Sequence, residues 1–212
     1  DKAKKMFAFH ELFNYQLKLQ LQNISSRIED SRYCVGIKNK HIDEFKNSLP
    51  FTLTGAQSRV IDEIVDDLNN PYKMDRLLQG DVGSGKTAVA AATLYATIKA
   101  GFQTAIMAPT EILANQHFET FFEFFKDLNI SVALLTSSTP KKERKTILSL
   151  LEVGEIELLI GTHSLIQEDV KFNNLKYVIT DEQHRFGVRQ RSTLSDKGED
   201  VHVLVMSATP IP

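Results

Sequence analysis

Along residues 1 to about 30, Met6, His10, Phe13, Leu17, Leu21, Ile24 and Ile28 recur at spacings of three and four, with Leu12 and Leu19 widening the apolar face. That spacing predicts one long helix whose apolar face needs a partner surface. Residues 32–40 read as a polar connector broken by Gly36 and Asn39. After Pro50 the pattern sharpens. Thr54-Gly55-Ala56-Gln57 fits a capping box, and Val60, Ile61, Ile64, Val65 and Leu68 give the following helix its buried face.

Strand-type runs then recur at 76–79, 103–107, 131–135, 157–160, 177–180 and 202–206, most of them separated by helical segments. One helix is predicted over 86–99, where Ala88, Ala90, Ala91, Ala92, Leu94 and Ala96 allow tight packing. Another should start at Thr139 as N-cap, with Pro140 in its first turn, and run through Leu151. Phe118, Phe121, Phe122, Phe125 and Leu128 fall on one helical face, a stripe with core spacing. Strand alternating with helix implies an α/β fold around a central, mostly parallel sheet covered on both faces, preceded by the N-terminal helical segment.

Composition narrows the setting without changing the fold. The 212 residues are 42% hydrophobic and 25% charged, an ordinary globular balance that supports a sizeable core. The single cysteine, Cys34, excludes an internal disulfide framework and reads as a small apolar filler in a reducing compartment. With no secretory segment or span-length apolar run, a soluble cytoplasmic protein without a membrane partner is expected. A formal net charge of −2 argues against broad electrostatic capture of nucleic acid, though not against local contacts through loop amides and helix N-termini.

Two segments carry chemistry. Gly80-Asp81-Val82-Gly83-Ser84-Gly85-Lys86-Thr87 matches G-x-x-x-x-G-K-[ST] between a predicted strand and a predicted helix. Its glycines let backbone N–H groups face phosphate oxygens, Lys86 reaches the β/γ-phosphates, and the Thr87 hydroxyl can ligate Mg²⁺. Asp181-Glu182-Gln183-His184 follows the apolar run ending at Thr180, so its acids should emerge at the C-terminal edge of a buried parallel strand. Asp181 would hold the metal and Glu182 polarise the attacking water.

Read in order, Phe51-Thr52-Leu53-Thr54-Gly55-Ala56-Gln57, the glycine loop, Ala108-Pro109-Thr110-Glu111-Ile112-Leu113-Ala114, Gly161-Thr162-His163, Asp181 to His184 and Ser207-Ala208-Thr209 resemble the first-lobe motifs of superfamily 2 helicases. Within that superfamily the bacterial branched-DNA helicases are most similar. The resemblance implies a RecA-like P-loop domain over residues 50–212, with residues 1–49 a helical linker behind a missing wedge domain. It implies ATP and Mg²⁺ as ligands and forked or branched DNA as partner. Gln57 is then assigned to the adenine edge, against the capping-box reading, and Phe51 to the base or the core. Pro109, Thr110, Gly161, Thr162 and His163 would grip one DNA strand, although Thr110 also reads as a helix cap and His163 as a structural histidine. Ser207 and Thr209 would couple the two sites, and His184 would sense the γ-phosphate.

The chain starts at Asp1 without methionine and stops at Pro212, just after the coupling motif, so a cut fragment is expected. A second RecA-like lobe would supply the arginines that complete the ATP site, and the fragment alone would be nearly inactive. The transcription-repair coupling translocases are the nearest alternative; they tend to carry Tyr where Ser84 stands and a Glu-rich acid motif where Gln183 and His184 stand. A small-molecule kinase would share only the glycine loop.

Overall fold

The computed structural model describes Phe13, residues 30–181 and residues 193–208. The helix predicted for the first thirty residues therefore lies outside the described residues, apart from Phe13, which is helical and exposed. Glu182, Gln183, His184 and Thr209 lie outside them as well.

Six strands, β1 (Asp75–Gln79), β2 (Gln103–Met107), β3 (Val132–Leu135), β4 (Leu158–Gly161), β5 (Leu175–Asp181) and β6 (His202–Ser207), form one sheet. Their order is β1-β6-β5-β2-β4-β3, and every pairing is parallel. Between residues 30 and 181 the α-helices are α1 (Asn39–Ser48), α2 (Gly55–Asn69), α3 (Lys86–Lys99), α4 (Glu111–Phe125) and α5 (Lys141–Glu152). Strands β2, β4 and β6 are buried along their whole length, as a parallel sheet covered on both faces requires.

Side chains alternate between two cores. Tyr177 and Ile179 of β5 join Ile64 of α2, Leu94 of α3 and Phe121 of α4 on one face. Val178 joins Ile147 and Leu151 of α5 on the other. Helix α3 is buried on all sides from Ala88 to Ile98, because strands β2 and β5 cover one side of it and α1 and α2 pack over the rest. The Thr93 hydroxyl meets the Tyr177 hydroxyl at 3.2 Å and fixes α3 against β5.

Four details depart from the sequence reading. Residues 32–40 are no solvated connector. Val35 and Ile37 are buried on either side of Gly36, whose φ of 73° turns the chain, and the Asn69 side chain exchanges hydrogen bonds with both backbone groups of Ile37. Two apolar residues are too short a run to show a period. Cys34 is exposed and fills no core space, since the neighbours that point inward are Val35 and Ile37. Helix α5 has Pro140 at its N-cap, because the Thr139 hydroxyl turns back to accept from the Thr136 N–H at 2.9 Å. Phe122 is 53% exposed, while Phe121 and Phe125 are buried; the aromatic stripe is wider than the face of α4 that meets the core.

The sheet edge away from the strand C-termini is closed by the segment preceding α1. There the buried His202 imidazole accepts from the Met74 N–H at 3.1 Å through Nδ1 and donates to the Tyr33 carbonyl at 2.7 Å through Nε2. Burial pushes this imidazole down to about 4, so it is held neutral. The Lys176 ammonium donates to the Arg32 carbonyl beside it.

Candidate functional site

Because all strands run the same way, their C-terminal ends share one edge of the sheet, where open α/β sheets bind ligands. Register fixes the order along it. Gln79 lies beside Ser207, Met206 beside Asp181, Thr180 beside Met107, and Met107 beside Gly161. The loop 80–85, Ser207, Asp181, the segment 108–110 and the segment 161–163 are thereby lined up as neighbours.

The glycine loop connects β1 to α3 by left-handed turns at Gly83 (φ 81°) and Gly85 (φ 82°). A Cβ on Gly85 would come within 2.0 Å of Gln57 Nε2, and one on Gly80 within 2.7 Å of Ser84 Oγ. Gly83 has open space around it and is required for its φ alone. Val82, at the tip, is 90% exposed. The Lys86 ammonium lies inside the curl, donating to the carbonyls of Gly80 and, at 2.8 Å, Asp81. The Gly80 N–H donates to the Ser207 carbonyl at 3.2 Å, which ties the first glycine of the loop to the end of β6. Ser207 itself is buried.

Gln57 forms the predicted capping box: its Oε1 accepts from the Thr54 N–H at 2.8 Å, and its N–H donates to Thr54 Oγ1 at 3.2 Å. Its Nε2 also donates to the Ser84 carbonyl at 3.1 Å, a contact between α2 and the glycine loop that the sequence did not reveal. A side-chain amide carries two N–H groups and two lone pairs, so one of each remains after these bonds. Capping therefore does not exhaust the side chain. Phe51 is 46% exposed and is no core residue.

Asp181 ends β5 with its carboxylate paired to His117: Nε2 and Oδ2 are 2.7 Å apart, and the side chains are 16% and 12% exposed respectively. His117 was missed in the sequence. The available signal was a histidine inside the inward stripe of α4, between Ala114 and Phe121, at helical spacing. Among the described residues, no cluster of three or more His, Cys, Asp and Glu could cage an ion. One carboxylate and one hydroxyl are instead the kind of donors that suit Mg²⁺, which keeps waters and shares phosphate oxygens. Asp181 and Thr87, both hard oxygen donors, fit such an ion.

Further along the edge, the Thr110 hydroxyl accepts from the Leu113 N–H at 3.3 Å and caps α4, as one of its two readings held. Pro109 is half-buried just before it. The first residue of α4, Glu111, takes hydrogen bonds from Ser137 and Ser138 in the loop after β3, which hold its carboxyl below the usual carboxylate range. This junction was also absent from the sequence reading. Gly161 admits no side chain, since a Cβ would stand 2.1 Å from the Leu135 carbonyl oxygen. Thr162 is buried with its hydroxyl 3.4 Å from that of Ser164, whereas His163 is exposed.

A glycine loop opening a buried helix beside an acidic strand end, on an all-parallel sheet, defines a P-loop nucleotide-binding α/β domain. The DEAD/DEAH box helicase family model matches residues 54–212, and the chain belongs to that family. It is 53% identical over 210 residues to the ATP-dependent DNA helicase RecG of Bacillus subtilis, covering 99% of this chain and 31% of that relative. RecG of Staphylococcus epidermidis is 51% identical over 211 residues, with the same 31% share of the relative. The chain thus spans about a third of the length of these curated relatives. The structure of RecG bound to a three-way DNA junction superposes with a TM-score of 0.84 at 49% identity, covering 96% of this chain and 27% of that one. The helicase MrfA bound to DNA and AMPPNP shares the fold, with a TM-score of 0.63 at 16% identity over 80% of this chain and 26% of that one. Among the described residues no helix is long and apolar enough to cross a membrane.

Proposed function

We propose that this chain is the ATP-binding first motor lobe of an ATP-dependent DNA helicase acting on branched DNA. The reading rests above all on the order of segments along the sheet edge: loop 80–85, Ser207 and Asp181 at one end, then 108–110 and 161–163. The similarity to RecG, one of whose structures holds a three-way DNA junction, supports branched DNA as the substrate.

In this reading Lys86 exchanges the carbonyls of Gly80 and Asp81 for phosphate oxygens, while the loop amides and the start of α3 hold the remaining phosphate charge. Thr87 and Asp181 hold Mg²⁺, which when bound neutralises charge on the phosphates. Glu182 accepts the proton of the attacking water, and His184 senses the γ-phosphate. The uncommitted N–H and lone pair of Gln57 read the adenine edge, and the exposed Phe51 packs on the base. Pro109, Thr110, Gly161 and His163 grip the backbone of one DNA strand. Thr162, its hydroxyl turned inward, contributes through its main chain. Ser207 and Thr209 couple the two ends of the edge.

Residues 50–212 are the lobe, and residues 1–49 link it to a wedge domain, with α1 packed into the lobe's own core. A second lobe completes the ATP cleft with arginines, each worth about 10³ to 10⁵ in rate in related hydrolases, so the isolated chain hydrolyses ATP poorly. A cytoplasmic setting fits the lone cysteine.

The test is ATPase activity of the full-length protein with single-stranded, linear duplex and forked DNA in parallel. Forked DNA should stimulate most. Equal stimulation by linear duplex would favour a transcription-repair coupling translocase, and no stimulation by any DNA would refute the motor assignment.

A further inference from the structure

We infer that His117 is the positioning residue of Asp181, and that through it the orientation of the metal-side carboxylate depends on how α4 is seated. The inference rests on the assignment of Asp181 to Mg²⁺ given above. An aspartate at the end of a strand can turn its carboxylate through several rotamers. Here one oxygen, Oδ2, is fixed 2.7 Å from His117 Nε2. A carboxylate only accepts, so Nε2 carries the proton, and the second oxygen stays available on the side away from the imidazole.

The imidazole is itself held. One turn further along α4, the fully buried Phe121 ring packs at 6.0 Å from it. At the start of the helix, the Thr110 cap and the Glu111 bonds to Ser137 and Ser138 fix α4 to the loops after β2 and β3. Thr110 and His117 are seven residues apart, about 10 Å along the helix axis. Helix α4 is therefore a short rigid strut, with the proposed DNA-gripping segment at its start and a hydrogen bond to the proposed metal carboxylate two turns on. Ligating carboxylates are ordinarily oriented by such an outer partner, and losing it typically weakens metal binding by about 10- to 100-fold.

The experiment uses full-length protein and Mn²⁺ as the probe ion, its binding in the presence of ADP followed by electron paramagnetic resonance, without DNA and without turnover. His117→Ala should weaken Mn²⁺ binding about tenfold or more, and His117→Gln, whose amide N–H can replace Nε2–H, should stay within about threefold of wild type. DNA stimulation of the ATPase should fall in the alanine variant and return in the glutamine variant. Unchanged Mn²⁺ affinity in the alanine variant overturns the proposal. So does a glutamine variant with wild-type melting temperature that binds Mn²⁺ as weakly as alanine; this comparison stands even if alanine destabilises the fold. Unchanged Mn²⁺ binding in Asp181→Asn overturns the underlying metal assignment and the proposal with it. Wild-type protein that binds Mn²⁺ normally but shows no DNA stimulation refutes the motor reading alone.

Discussion

The neutral His202 makes a pH dependence of stability that can be worked from the structure. Its imidazole is buried between Met74 and Tyr33 and held at about 4 against an ordinary value of 6.5. In the unfolded chain the same group protonates near 6.5, so between pH 6.5 and 4 the unfolded state binds more protons than the folded one, and stability falls as pH falls. Above 6.5 the contribution is constant and fully present. The full shift corresponds to roughly 3 kcal/mol, lost at a little over 1 kcal/mol per pH unit through the window. That is a large share of the ~5–15 kcal/mol typical of a domain. Urea unfolding of this chain at pH 7.5, 6.5, 5.5 and 4.5 would measure it, with His202→Gln as reference, since a glutamine amide can accept from Met74 and donate to Tyr33 without titrating. Other groups, including the depressed His41, contribute equally to both proteins and cancel in the difference. Parallel stability-versus-pH curves for the two proteins would refute the reasoning.

Gly85→Ala should place a methyl group against Gln57 Nε2 at a left-handed φ of 82°; nucleotide affinity should drop at least tenfold, with about 1–2 kcal/mol of stability lost from the backbone alone, and calorimetric titration with ADP that finds wild-type affinity would contradict it. In the full-length enzyme Gln57→Ala should reduce the preference for ATP over GTP while also lowering the melting temperature through the lost capping box; a lower melting temperature with unchanged base selectivity would leave only the capping role. Glu182→Gln should lower steady-state turnover by roughly 10² to 10⁴ with ATP binding nearly intact, whereas Lys86→Ala should weaken binding as well; near-wild-type turnover in the Glu182 variant would remove it as the base.

The sheet was readable because buried parallel strands are rich in continuous apolar runs; 105–107 and 203–206 stand out with no help from tertiary context. The glycine loop was readable because its backbone conformation demands glycine at fixed offsets, which is a local constraint. What failed was of another kind. Phe122 obeys the helical period yet faces solvent, since period specifies a face but not how much of it the neighbours cover. Pro140 occupies the cap expected of Thr139 because the Thr139 hydroxyl found a competing local acceptor role toward the Thr136 N–H. The His117 to Asp181 and Gln57 to Ser84 bonds join residues 64 and 27 positions apart, and no local pattern encodes such a pairing.

Those long-range bonds indicate where change can occur in the lobe. Strands β6, β5 and β2 are adjacent, buried and parallel, and past a register shift at Gln103/Thr104 their pairing runs unbroken to the C-terminal edge, so neighbouring loops there sit about 4.8 Å apart per strand on a support that hardly deforms. Under the proposed function, a nucleotide-dependent motion would travel through what leaves the edge and not through the sheet. Two such routes run between segments of the edge. One is the backbone bond from Gly80 to Ser207, which makes the start of the glycine loop and the end of β6 move together. The other is α4, braced at Thr110 and Glu111 on one side and bonded to Asp181 through His117 on the other. The first route passes along the backbone and tolerates side-chain exchange; the second depends on one imidazole, so under the proposed function substitution at His117 would separate coupling through α4 from coupling through β6.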